Sequence, residues 1–589
     1  MNFLRYLLTT GIGVLALTPV CDAVETLRPD ELKSGMNGYG LSVFKGTRPE
    51  RFEVEILGVM KNTFPGQDMI LIRLSGANLE LHKVIAGMSG SPIYIEDKLI
   101  GALAYGWTFE NVPLAGVTPI HNMLLEMHRA ADPIRPPGIS RQGRSSEFPL
   151  SRPGRAPRST DGAVTPQRLL TPLSLGGFSP HIVEQLAAEL KPFGMLPMSA
   201  GMAVSGSDGA TAPAPTELVP GGAIGVQLMR GDLSATAVGT ITHIDGDRVL
   251  AFGHPFFSGG AVRAPAVVAE VHAVMSSLAR SFKLASGGAE IGAMIGDWQS
   301  CIVADTTLRA QMIPLSLTVA NESTEHLHRY EIEVMENQMF TPYLLAAATA
   351  QAIASATGSS EDTTVRVSMS ITLADRTLKR RDTFFNPGGG VYSYQTLEPL
   401  FMIFNSPFGP PGVKGVEIDI RAELGRHTAE LRRATFGRTS VRRGARVPLL
   451  VELKPYGGPL VTQRVEIDVP AYAGSLKQLQ VVVAAGEMAP VDAAQPETHA
   501  DFLNIVERQH ASTDLVVMLR TLRNGLQVKG QLLRQLPPSA MNVLMDSAPR
   551  GARQFGRVSR GGVENMEQLV VPTEWVLTGQ VVATIAIKD

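Results

Sequence analysis

Cysteine is almost absent from this chain: 589 residues contain two, Cys21 and Cys301. Cys21 lies in an N-terminal stretch that reads as an export signal over 1–23. Arg5 is its single basic residue, an apolar run extends from Tyr6 to Val20, and Cys21-Asp22-Ala23 ends on the small residue that signal cleavage favours. Cleavage after Ala23 leaves Cys301 alone, so no intrachain disulfide can form and packed cores must supply the stability. The apolar run is shorter than the ~20 residues of a spanning helix, and Thr9, Thr10, Thr18 and Pro19 weaken it further. No stable membrane insertion is therefore expected once the signal is removed, and the expected location is the periplasm or the exterior.

Charge of one sign is lacking as well. Lys plus Arg number 53 against 55 Asp plus Glu, which leaves no global field to steer the chain onto nucleic acid or an anionic membrane. Zinc signatures are missing: there is no cysteine pair and no HExxH helix. His326 and His328 alternate on a probable strand, where two histidines are more often solvated than metal-bound. No cofactor is expected. What remains is a chain that is 44% hydrophobic and 18% charged, too apolar for disorder and too long for one core.

The apolar residues are arranged mostly for strands. Phe52, Val54 and Ile56 alternate with Glu53 and Glu55, and Met69–Leu74 and Ile93–Ile95 are short apolar runs. A helix near Pro119–Ala131, capped by Thr118, closes this first region. Residues 131–168 interleave prolines and arginines and read as a linker. A second β-rich unit spans 169–305, with a helix near His181–Leu190 and strands around Gly221–Leu228, Thr236–His243 and Arg248–Phe252. Beyond it, Val365 to Leu373, Val447 to Leu453 and Val465 to Val469 alternate as strands of β-sandwich-like modules. One helix interrupts them, with Thr341 as its cap, Pro342 in its first turn and Gly358 at its end. The expected fold class is mainly β. Its units are 24–130 and 169–305, a β-rich module with one helix over 306–440, and a sandwich-like module over 441–589.

Two motifs carry chemistry. Gly87-Met88-Ser89-Gly90-Ser91-Pro92 precedes a hairpin built from Ile93-Tyr94-Ile95, a polar turn and Leu99 to Trp107. Flanking glycines let the backbone bend so that the Ser89 hydroxyl is presented and the amides of Gly87 and Ser89 converge as an oxyanion hole. The α/β-hydrolase elbow requires glycine where Ser91 stands and a helix where this chain has a hairpin. The second motif runs from Gly239 to Phe256, turns at Asp245-Gly246, and delivers His254 between Gly253 and Pro255. A serine hydroxyl needs a base to take its proton, and imidazole titrates in the right range. His254 is the expected partner of Ser89; His243 and His82 are secondary candidates.

Both motifs resemble those of the SpoIVB-type serine peptidases, over roughly residues 30 to 130 and 215 to 305. By that resemblance Ser89 matches the catalytic serine and His254 the catalytic histidine. A trypsin-like double barrel and cleavage of other exported proteins or of the chain itself are implied. The order is swapped, with the serine segment first, and no peptide-binding PDZ module is recognisable. The third member of a triad is open: Leu74-Ser75-Gly76 offers no acid before the serine segment, leaving Asp297 on the histidine side and Asp68 as the alternative. A catalytically weak or inactive binding protein on the same fold is the competing expectation.

Overall fold

A computed structural model describes residues 24–588 apart from 108–110, 130–165, 201–217, 278–279, 323–325, 359–361, 388–396, 410–411, 471–476, 492–495, 522–524, 529–530, 534–538, 540–558 and 562–563. The export signal and nearly all of the Pro/Arg linker lie outside the described residues.

The first unit contains β1 (Asn37–Ser42), β2 (Glu50–Phe64), β3 (Gln67–Ser75), a short helix α1 (Leu79–His82), β4 (Pro92–Ile95), β5 (Lys98–Gly106), β6 (Leu114–Pro119) and α2 (Ile120–Arg129). The six strands close into a ring in the order β4-β1-β2-β3-β6-β5, with β5 returning to β4. The alternation in β2 sets which face is inside: Phe52, Val54 and Ile56 are buried in the ring's core with Ile70, Ile72 and Leu74 of β3. Helix α2 forms where the apolar spacing indicates, but Thr118 does not cap it. Its hydroxyl reaches into the second unit and donates to the Gly253 carbonyl at 2.6 Å, because Thr118 is still strand and its side chain faces the junction.

After β7 (Gln167–Arg168), which pairs with the end of β5, come β8 (Thr171–Gly176), α3 (Pro180–Leu190), β9 (Met195–Ser199), β10 (Ala223–Gly231), β11 (Ser234–Asp245), β12 (Arg248–Ala251), β13 (Gly260–Met275), β14 (Phe282–Asp297) and β15 (Ile302–Asp305). Strands β10, β13, β14, β15, β12 and β11 form a second closed ring of six, sealed by the β10–β11 pairing. The hairpin at Asp245-Gly246 turns where its sequence indicates, joining β11 to β12 with Asp245 opposite Arg248. The two rings share an apolar seam in which Leu99, Ile120 and Met123 of the first pack on Leu250, Ile295 and Cys301 of the second. Burying a Leu or Ile side chain in such a seam is worth about 1.5–3 kcal/mol. Cys301 is the one cysteine among the described residues, a buried free thiol serving as core.

The sheet of the second ring continues through β10 into β16 (Met312–Asn321), β17 (His326–Met335), β18 (Thr363–Thr372), β19 (Thr377–Asn386) and β20 (Gly415–Leu424). Helix α4 (Phe340–Thr357) packs on these strands, and α5 (Glu398–Phe404) follows β19. α4 is apolar on all sides and mostly buried, as expected of a helix enclosed by sheet and neighbouring helices. Thr341 lies inside the helix. Asn337 accepts from the Met339 and Phe340 amides instead, and the Thr341 hydroxyl donates to the Met335 carbonyl.

A two-sheet sandwich ends the chain. It is built from β21 (Thr428–Phe436), β22 (Ser440–Arg442), β23 (Arg446–Pro455), β24 (Val461–Asp468), β25 (Gln478–Ala485), β26 (Asp514–Thr521), β30 (Glu564–Pro572), β31 (Val576–Thr578) and β32 (Gln580–Lys588), while α6 (His499–Glu507) packs back on α5 and β19, and β27 (Gly525–Val528), β28 (Gln531–Leu533) and β29 (Ser559–Gly561) pair as a small sheet of their own. Its sheets, β24-β23-β21-β31 and β22-β32-β25-β26-β30, enclose one core. The sandwich begins with β21, upstream of residue 441. The molecule is mainly β, with barrels first and a sandwich last. No described helix is long and apolar enough to cross a membrane.

Candidate active site

Ser89 sits in the turn between α1 and β4. Gly87 and Gly90 both adopt φ of +96°, a region closed to most side chains. A Cβ on Gly90 would also lie 2.1 Å from the Thr240 carbonyl oxygen and 2.4 Å from the Phe252 amide nitrogen. Glycine is thus required there twice, by conformation and by the approach of the second ring.

That ring grips the serine turn through β11. The Thr240 amide donates to the Ser89 carbonyl at 2.9 Å, the Thr240 hydroxyl to the Gly87 carbonyl at 3.0 Å and the Thr242 hydroxyl to the Gly90 carbonyl at 2.7 Å. Three carbonyls of the turn are therefore held by one strand of the other barrel. The amides of Gly87 and Ser89 donate no hydrogen bond to any described residue. Ser89 is fully buried and its Oγ has no hydrogen-bond partner. Two amides and one hydroxyl, unengaged within three residues, make a concentrated set of unused donors. Buried polar groups are rarely left so.

His254 is reached through a strained turn. Phe252 has φ of +69° and Gly253 of +67°, and a left-handed phenylalanine costs on the order of 1–2 kcal/mol. Burial of the Phe252 ring holds it in place, stacked edge-on against Phe256 at 5.7 Å. A Cβ on Gly253 would lie 2.9 Å from the Ala102 Cβ of β5, so the histidine turn abuts the serine hairpin. The His254 ring is buried, with Nδ1 2.8 Å from the Pro255 carbonyl oxygen and Nε2 without a partner. A carbonyl can only accept, so Nδ1 carries the proton and Nε2 presents a lone pair. Burial pulls the imidazole down to about 4, against the opposing effect of the Pro255 carbonyl. The ring is neutral at pH 7 and in the tautomer that a general base requires.

The structure thus brings the two turns into contact across the junction. It does not hydrogen-bond Ser89 Oγ to His254 Nε2, since each is unpartnered. Asp297 is buried, and its carboxylate accepts from the amides of Phe256 (2.6 Å), Phe257 (2.8 Å) and Gly259 (2.8 Å). It holds the loop that follows His254 rather than the imidazole. Burial raises its pKa while the three amides oppose the rise. Asp68 lies on β3 and accepts from Lys61 at 2.8 Å and from the Asn62 amide, which lower its pKa. The imidazole it influences is that of His121. The orienting partner of His254 in this conformation is therefore a backbone carbonyl. His243 stands mid-strand opposite Leu250, and His82 ends α1.

Two contributors escaped sequence reasoning: Thr240 and Thr242. The threonine alternation in Gly239-Thr240-Ile241-Thr242 was their one visible signal, placing two hydroxyls on the same face of a buried strand. No group of three or more His, Cys, Asp or Glu residues suited to a metal is present among the described residues.

No curated protein and no solved structure matches the chain. The model of one family, SpoIVB peptidase S55, matches residues 22–124. Ser89 and its whole barrel fall inside that match, and His254 lies outside it. Over residues 22–124, which include the serine-bearing barrel, the chain is thus similar to the SpoIVB peptidase S55 family.

Proposed function

We propose that the protein is an exported serine endopeptidase of the cell envelope that cleaves other proteins or itself, with Ser89 as nucleophile and His254 as base. The observation that carries this reading is the convergence at one junction of an unpartnered serine hydroxyl, two undonated amides beside it and an unpartnered imidazole lone pair. In the proposed reaction Ser89 Oγ bonds to the scissile carbonyl carbon and its proton passes to His254 Nε2. The Gly87 and Ser89 amides receive the oxyanion. Collapse breaks the C–N bond, and the leaving amine takes the proton from Nε2. Water then hydrolyses the acyl ester with the same base. Closing from the present conformation to a hydrogen-bonded Ser89–His254 pair is part of this reading, as catalytic hydrogen bonds often tighten only when substrate binds.

Export is inferred from residues 1–23 alone, and the near-balanced charge favours protein substrates over nucleic acid. A second reading, a binding or scaffolding protein on a peptidase fold, is favoured by the complete burial of Ser89 and by the carbonyl, in place of a carboxylate, on His254 Nδ1. Incubating the purified protein with an unfolded protein substrate and counting new N-termini separates the two. Time-dependent N-termini from the parent, absent with Ser89→Ala, support the peptidase. Equal, background-level counts from both proteins support the scaffold.

A further inference from the structure

Lys283 is the largest polar side chain fully enclosed among the described residues, with no exposed surface. It enters the junction from β14. Its neighbours there include Ser42 of β1, Thr240 of β11 and Gly87. None of them carries charge, and no ion pair reaches Lys283 among the described residues. A lone buried ammonium is costly, so its retention calls for a reason beyond packing.

Its hydrogen bonds lead to the two undonated amides. The Lys283 amide donates to the Ala86 carbonyl at 3.0 Å, which belongs to the same peptide group as the Gly87 N–H. The Lys283 Nζ donates to Ser42 Oγ at 2.9 Å. Ser42 and Ser91 hydroxyls lie 3.0 Å apart, and Ser91 Oγ donates to the Met88 carbonyl at 2.7 Å. That carbonyl shares its peptide group with the Ser89 N–H. With Ser91 committed to Met88, Ser42 supplies the proton between the hydroxyls. The chain therefore runs in one direction, Lys283 to Ser42 to Ser91 to Met88. Each donor polarises the next, and a peptide whose carbonyl is polarised presents a stronger N–H. Both candidate oxyanion donors are fastened from behind by one residue.

We infer that Lys283 is a positioning residue that orients and polarises the Gly87 and Ser89 amides for the oxyanion, acting on the Ser89 amide through a Ser42–Ser91 hydroxyl relay. This rests on the reading of Ser89 as nucleophile. The structure supports it with charge state as well: burial alone pulls the Lys283 amine down to about 7, so the ammonium is present below that pH and lost above it. His254 titrates well below this window.

The test is the rate of covalent labelling by a fluorophosphonate, whose phosphoryl oxygen occupies the oxyanion position. It is measured from pH 5 to 9 and resolved into maximal rate and half-saturating concentration. The full-length parent, Lys283→Met, Ser91→Ala and the double variant are compared, with Ser89→Ala as reference. The relay predicts that each single variant loses roughly tenfold or more in maximal rate with half-saturation unchanged. It further predicts that the double variant loses no more than either single one, and that the decline above pH 7 in the parent vanishes in Lys283→Met. Melting of Lys283→Met at pH 6 should match or exceed the parent, because a buried charge is removed. Multiplicative losses in the double variant, or a parent-like pH profile combined with a lowered melting temperature in Lys283→Met, would overturn the inference and leave Lys283 a structural residue. Labelling of Ser89→Ala at the parent rate would instead overturn the nucleophile assignment, and the relay with it.

Discussion

The two barrels hold their reactive turns by opposite means. The histidine turn is secured within its own barrel: Asp297, at the end of β14, binds three amides of the loop after His254. The serine turn is secured from outside, by Thr240 and Thr242 of the other barrel and by the relay from Lys283. The loop after His254 is held from within its own barrel, with Thr118 of the first barrel adding one bond to the Gly253 carbonyl, whereas the serine turn is held largely by docking. A serine turn whose carbonyls are fixed by the other barrel takes its final shape only after both halves have folded together. Under the proposed function, that would delay reactivity until the two barrels have assembled.

The comparison can be broken most forcefully at the junction. Gly90→Ala drives a Cβ into the Thr240 carbonyl and the Phe252 amide, and should cost about 3 kcal/mol or more. Gly58→Ala, in open space on β2, serves as control. Urea unfolding of both variants checks the difference, and equal midpoints would contradict the tight docking of the turns.

Acid probes the histidine side. The folded-state pKa of His254 is lowered, so the unfolded chain takes up the proton first. Its contribution to stability is complete above pH 6.5 and is lost as pH falls towards 4. The shift corresponds to roughly 3 kcal/mol at most. Unfolding curves between pH 4 and 7 should steepen this loss in the parent relative to His254→Phe; parallel curves would show that the imidazole is not held neutral by burial.

Asp297→Asn tests the self-contained loop. One amide oxygen replaces two carboxylate oxygens facing three N–H donors, at a cost of about 2–3 kcal/mol. Hydrogen exchange should rise at Phe256, Phe257 and Gly259 while the serine turn keeps its protection. If Asp297 acted instead as the orienting acid, its replacement would slow labelling by orders of magnitude without loosening these amides. The smallest effect is expected for Thr242→Val, which leaves the Gly90 carbonyl unpaired at a cost of roughly 1–2 kcal/mol. It should slow labelling of Ser89 while leaving the Asp297 loop unchanged.

Much of this architecture was legible in the sequence. The alternation Phe52, Val54, Ile56 matches the buried face of β2, and Asp245-Gly246 marks the hairpin that delivers His254. The two long strands β13 and β14 were not legible. They are rich in Ala and Gly, which carry little strand preference, and runs such as Ala264 to Ala269 do not alternate. Within β14, period-two reasoning places Phe282 and Leu284 inside and Lys283 outside; the strand buries Lys283 and leaves its neighbours half-exposed. Thr118 and Thr341 read as helix caps because hydroxyls at helix starts usually cap, yet each has a stronger claim elsewhere. The acid was misleading for a related reason: local sequence places Asp297 in the histidine half but cannot distinguish a carboxylate aimed at a ring from one aimed at three amides.

The most direct test of the account is peptide mapping of the full-length protein after fluorophosphonate treatment under native conditions. The account predicts a single phosphonyl adduct, on Ser89, that disappears in His254→Ala and after unfolding in urea. A natively folded protein that carries no adduct on Ser89, or one whose Ser89 labels equally well in urea, would contradict it.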